Sequence, residues 1–233
     1  MNHKKGRTSK LAVVIVFLIF FLPFHKSTTA QSFDYGIEVG VGAFNEKWTS
    51  DMFPLKGWGK DKSGLTVSVF GVVKHTSNLS TKLELGYMNK GFINDLSWEY
   101  PDGSVVTPYS FRTDLKTLKL GLGERITFLA SNFRPFVDVG FNVQYVPESE
   151  IGNRPMVFMG KDAVPQIVYD YKWNTITFNG TVGIGLIYRQ LVYIKVEYNY
   201  AFTKLLDDKG VEVIDRAFVG SVGVNINELV KLF

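Results

Sequence analysis

The chain has no cysteine among its 233 residues, only 8 prolines, and a charged fraction of 21%. The missing thiol excludes a disulfide scaffold, a Cys-based zinc site, an iron–sulfur cluster and a thiol nucleophile. Histidine is scarce too: there are three, and His75 is the only one beyond residue 30. No segment after residue 30 reaches the roughly 18 consecutive apolar residues of a helical membrane span. Against these absences stand a hydrophobic fraction of 45%, an aromatic fraction of 15% and 22 glycines. That balance excludes global disorder.

The formal net charge of +4 points at first to an anionic partner such as nucleic acid. Its distribution removes that reading. Lys4, Lys5, Arg7 and Lys10 precede an apolar run from Leu11 to Phe24, and Thr28-Thr29-Ala30 supplies small residues before Gln31. A basic region, a short apolar stretch and a small-residue junction predict a cleaved secretory signal peptide over 1–30. That segment holds five basic residues and no acid, so residues 31–233 carry 21 basic against 22 acidic residues, a net of −1. No nucleic-acid partner is expected, and 31–233 reads as one domain.

Within it the side chains alternate with period two, as strands require. Val192, Ile194, Val196, Tyr198, Tyr200 and Phe202 alternate with Tyr193, Lys195, Glu197, Asn199 and Ala201. Seven other segments behave similarly, beginning near Tyr35, Leu65, Leu83, Leu118, Val137, Ile176 and Phe218. One face is Val, Ile, Leu, Phe and Tyr, with aromatic residues at strand ends (Tyr35, Phe128, Tyr145, Tyr188, Phe202). The other mixes glycine with Glu38, Lys82, Glu84, Lys119, Arg125, Asp138, Lys195 and Glu197. Small residues beside ion-pairing ones suit the narrow interior of a small closed barrel, with the apolar face turned to lipid.

The predicted connections alternate in length. Three are short (75–78, 129–133 and 189–190), and four are long (45–64, 91–113, 147–174 and 203–214). This sorting by parity predicts an all-β, eight-stranded, antiparallel up-and-down transmembrane β-barrel in the outer membrane of a Gram-negative bacterium. Both termini fall on the periplasmic side. A secreted β-sandwich or a soluble lipocalin-like barrel is the competing reading.

The sequence resembles the PorT-like outer-membrane β-barrel proteins of Bacteroidetes-type bacteria. The resemblance rests on Tyr35-Gly36-Ile37-Glu38-Val39-Gly40, on Leu83 to Gly91, on Arg134-Pro135-Phe136-Val137-Asp138-Val139-Gly140, and on Arg216 to Gly223. It implies an outer-membrane barrel and, because that family includes a secretion-system component, an accessory role in protein secretion. Two positions depart from a clean barrel. Glu124 has outward parity near a strand end, which implies an interfacial position or a bulge. The terminal Phe233 has the wrong parity for the last strand, so either a bulge intervenes or residues 227–233 leave the barrel.

No catalytic residue, cofactor or metal is assigned. His75 is read as a polar turn residue, although a lipid-modifying barrel enzyme would draw on it as its base. The lumen charges are read as mutually neutralising packing, since about eight strands enclose an interior just wide enough for side chains. The pairs Gly40/Gly42, Gly121/Gly123 and Gly183/Gly185 do not complete a dinucleotide fingerprint ahead of a helix. Recognition is expected in the long loops, through Trp48, Phe53, Trp58, Trp98, Tyr100, Met156, Phe158 and Met159. Their partners would be envelope or secretion-system proteins, with outer-membrane lipid around the wall.

Overall fold

A computed structural model describes residues 32–50, 61–94, 98–99, 105–106, 111–129, 131–147, 156–159, 165–169, 174–208 and 210–232. The predicted leader over 1–30 lies outside them. Eight long strands follow in order: β1 (Ser32–Ser50), β2 (Lys62–Lys74), β3 (Leu79–Asn94), β4 (Phe111–Thr127), β5 (Phe133–Tyr145), β6 (Ile176–Tyr188), β7 (Val192–Ala201) and β8 (Val211–Asn225). Each pairs antiparallel with its neighbours in sequence, and β1 also pairs with β8, from Gly36↔Asn225 to Ser50↔Val211. That last pairing closes the sheet, so no long strand is left with an open edge. The architecture is the expected eight-stranded antiparallel up-and-down barrel.

The period-two pattern maps onto the two faces of this wall. Along β7, Tyr193, Lys195, Glu197 and Asn199 point inward and are buried, while Ile194 and Val196 point outward and are 55% and 56% exposed. The outer wall is aliphatic in the middle and aromatic near both ends. Phe133 packs against Tyr188 near the tight turns (4.8 Å between ring centroids), and Tyr198 against Phe218 toward the other end (4.7 Å). Ten residues separate Tyr188 from Phe178 on β6. At about 3.3 Å per residue and a tilt of about 40°, that spans about 25 Å, the height of the apolar band of a membrane barrel.

The three short connections came out close to expectation: 75–78, 128–132 and 189–191. The long ones differ. Strands β1 and β3 run to Ser50 and Asn94, and β2 and β4 begin at Lys62 and Phe111, so the first two predicted loops are partly paired strand. The reason is that backbone pairing continues past the apolar belt, where alternation weakens and the sequence pattern no longer reports it. Short ribbons add to this: Trp98–Glu99 with Val105–Val106, Met156–Met159 with Pro165–Tyr169, and Leu206–Asp208 on β8.

Both ends of the described chain lie at the turn end, where Ser32 pairs with Lys74 and Asn225 with Gly36. Strand β8 stops at Asn225, whose side-chain oxygen accepts from the Asn227 backbone N–H (3.1 Å) and caps a five-residue helix, α1 (Ile226–Val230). Asn227 Nδ2 donates to the Phe33 carbonyl (2.9 Å), which ties that helix to β1. Of the two readings of the tail, its departure from the barrel is the observed one; Phe233 itself lies outside the described residues.

Candidate functional site

Every charged residue predicted for the lumen points inward, and six of them form a closed ring. Lys82 Nζ lies 2.5 Å from Glu38 and 3.2 Å from Glu84; Lys119 Nζ lies 3.0 Å from Glu84 and 3.4 Å from Glu197. Lys195 Nζ completes the circuit, 2.7 Å from Glu197 and 3.1 Å from Glu38. Three ammonium groups and three carboxylates thus alternate around the barrel axis with no net charge. Buried charges are tolerated only when paired and hydrogen-bonded, and further donors serve the acids: Ser221 and Tyr193 to Glu38, and Asn199 to Glu197.

Toward the turn end the ring rests on an aromatic plug. Phe70, Val72, Phe136 and Tyr193 form one buried cluster, with Phe136 and Tyr193 edge-to-face at 5.9 Å. Each ring sits where an inward glycine on a neighbouring strand leaves room. A Cβ on Gly36 would come within 2.5 Å of Phe70, one on Gly185 within 2.3 Å of Phe136, and one on Gly223 within 2.1 Å of Tyr193. Arg125 lies over the plug, its guanidinium 4.0 Å from the Phe136 ring, and donates through Nε and Nη2 to Asp138 (both 2.8 Å). The remaining two predicted lumen charges are therefore a bidentate pair beside the ring.

On the loop side the filling continues as side-chain amides. Asn142 Oδ1 accepts from Asn179 and Gln144 (both 3.0 Å), and Lys90 donates to Gln144 (2.7 Å) and to Asp215. Above these, Phe44 packs with Ala217 and Val219, and Val146, Leu205, Leu206 and Val213 are fully buried. Spaces of about 30 and 10 Å³ lie among these side chains. The larger has room for a water or two, so between the plug and the amide layer the described side chains fill most of the lumen.

Below the plug the turn end opens into a cavity of about 990 Å³, lined from all three turns. The turns are laced together: Arg134 donates to the carbonyls of Ser77 (2.6 Å) and Leu129 (3.2 Å), and Lys74 bridges Asp34 (2.5 Å) and Gln190 (2.9 Å). Sequence reasoning missed this vestibule, together with the plug. Its aromatic floor was visible only as large residues, Phe70 and Tyr193, at inward parity.

His75, predicted as a turn residue, sits there but is not isolated. Thr81 Oγ1 donates to Glu124 Oε1 (2.6 Å) and lies 2.6 Å from His75 Nε2. A hydroxyl that gives its proton to the carboxylate can accept from the imidazole in the tautomer that carries its proton on Nε2. Glu124 lies in regular register with Thr81 and Val139, without a bulge. Its outward charge is thus accommodated beside the turn that carries His75.

The predicted recognition residues are only partly placed. Trp48 belongs to β1, paired with Val213, so it is strand and not loop. Trp98, Met156, Phe158 and Met159 lie in the short ribbons, with a register shift at Phe158/Met159. Phe53, Trp58 and Tyr100 lie outside the described residues.

No protein-family profile matches the sequence, and no curated protein matches it. Solved structures do match it in shape. Neisserial surface protein A is 13% identical, covering 81% of this chain and 96% of its own, at a TM-score of 0.40. Ail, the attachment invasion locus protein of Yersinia pestis, is 12% identical over 83% and 99%, at 0.43. The outer membrane enzyme PagL is 14% identical over 82% and 98%, at 0.42. At these scores the likeness carries no functional argument, and attachment protein and enzyme occur side by side.

Proposed function

We propose that the chain is an integral outer-membrane barrel, closed to solutes, that works by binding partners at its ends and not by conduction or catalysis. The reading is carried by one combination: apolar side chains cover the outer wall of every strand, while the lumen is filled from the aromatic plug to the loop-side cap. A soluble barrel has these faces the other way round, with its apolar residues inside. The turn end, holding both strand termini, then faces the periplasm, and the extended hairpins face outward. The PorT-like resemblance adds a more specific role, an accessory in protein secretion.

The test is fractionation and electrophysiology on the same preparation. The protein is expected in detergent-extracted outer membrane, with heat-modifiable gel mobility, and without step conductance in planar bilayers. Recovery as a detergent-free soluble protein overturns the reading, and stable single-channel steps remove the closed lumen.

The His75–Thr81–Glu124 chain favours a second reading, a lipid-modifying barrel. In that reading the Thr81 hydroxyl is the nucleophile at the membrane edge and Glu124, which accepts its hydrogen bond, is the base. That reading requires an acyl-hydrolase activity on membrane lipid that Thr81→Ala abolishes; equal activity in Thr81→Ala and the parent excludes it.

A further inference from the structure

We propose that the turn-end vestibule is a binding site for an extended acidic peptide segment of a partner protein. Its volume of about 990 Å³ is at the upper end of ligand pockets. Its charge is unbalanced. Lys74 is neutralised by Asp34 and Arg125 by Asp138, but Arg134 and Arg189 have no carboxylate partner among the described residues. Two guanidinium groups at the mouth of a cavity partly shielded from water attract carboxylates and hold them through paired donors.

The geometry of the turns supports this reading independently. Arg134 is pinned by carbonyls from two different turns, which presents its guanidinium in a fixed place. Arg189 and Gln190 occupy consecutive left-handed positions, with φ of 49° and 59°. They are the two central residues of a tight hairpin turn, closed by the Leu191 N–H on the Tyr188 carbonyl (2.9 Å), which requires that conformation. The two long polar side chains there diverge: Arg189 lies over the Tyr188 ring of the outer wall at the edge of the mouth, and Gln190 Oε1 accepts from Lys74 across it.

The rest of the wall selects a peptide. The amides of Asn78, Asn132 and Asn225 can pair with backbone N–H and C=O groups, and the floor of Phe70, Val72 and Ile187 accepts an apolar side chain. The mouth opens inside the ring of strands, so it faces water and not hydrocarbon, which disfavours a lipid. The inference depends on the membrane reading only for the compartment that supplies the peptide.

The experiment uses the full chain refolded in detergent and fluorescein-labelled hexapeptides in which Asp alternates with Leu, Val or Phe. Anisotropy is expected to show saturable binding that weakens with salt, since the contact is ionic and near the surface. Arg189→Glu is expected to bind about tenfold more weakly, the loss of roughly one charge-assisted contact. Peptides with Lys in place of Asp should not bind. Absence of binding to heat-modifiable, folded protein overturns the proposal, as does equal binding by folded Arg189→Glu. Displacement by inorganic phosphate as effective as by unlabelled peptide assigns the site to a free anion and overturns the peptide. Arg134→Glu is a second variant; because Arg134 also ties the turns, Arg189→Glu decides if it fails to fold. Loss of heat-modifiable mobility and membrane recovery, with peptide binding retained, would instead fault the membrane reading alone.

Discussion

The inner and outer faces of the barrel wall are built from alternate residues of the same strands, yet they are held by different physics. On β7, Ile194 and Val196 face outward beside other aliphatic side chains, and each contributes through apolar area, largely independently of its neighbours. Lys195 and Glu197, two apart in sequence, face inward and belong to a six-membered circuit in which every charge has two opposite neighbours. The outer face tolerates exchange of one apolar residue for another. The inner face does not tolerate loss of any one member, because the others are left buried and unbalanced.

Breaking the ring is expected to have the largest effect. Glu38→Gln leaves Lys82 and Lys195 short of a carboxylate, and should lower stability by about 3–5 kcal/mol, the usual result of removing one partner of a buried pair. Urea titration of the heat-modifiable form measures it. Adding Lys195→Met should recover part of the loss, whereas additive losses would show that the circuit is not coupled. On the outer face, Val196→Lys places one charge in the apolar belt and should cost about 2–4 kcal/mol by the same titration in lipid. The cost should fall toward zero in detergent micelles if it arises from lipid contact alone.

A smaller effect probes the plug. Gly223→Val drives a side chain into the Tyr193 ring, and the overpacking should cost about 1–3 kcal/mol. Gly220→Val, on the outward face of the same strand and with open space around it, should be nearly neutral. The smallest effect lies outside the belt. Lys204 is held above the ordinary lysine value of 10.5, first by its hydrogen bond to Glu212 and then by Asp207. A raised folded value means that the stabilisation is complete below the unfolded value and is lost as pH rises through the folded one. Any stability difference between the parent and Lys204→Met should therefore shrink as pH rises into strongly alkaline solution.

Much of the barrel was legible because strand alternation is local. Parity alone assigned Glu38, Lys82, Glu84, Lys119, Arg125, Asp138, Lys195 and Glu197 to the interior, and connection lengths gave the order of turns. The glycines at inward positions were legible as relief of crowding, but not as the sockets of particular rings, since Gly223 and Tyr193 meet only through the pairing of β7 with β8. The extent of the outer hairpins was misjudged, because backbone hydrogen bonding carries no side-chain signature once the wall leaves the belt. His75 read as a bland turn residue because its contact with Thr81, and through it with Glu124, crosses from the turn to β3 and then to β4.

Without cysteine, and with no long apolar helix among the described residues, the barrel draws its stability from strand pairing and from two unlike faces. Alternation, turn spacing and the one-sided charge of residues 1–30 are properties of neighbours along the chain, and the sequence determined them by itself. Which lysine meets which glutamate, which glycine receives which ring, and where two arginines are left without a carboxylate among the described residues were decided by tertiary structure. Those relations depend on strand register and barrel closure, which bring residues as far apart as Glu38 and Ser221 within hydrogen-bonding distance.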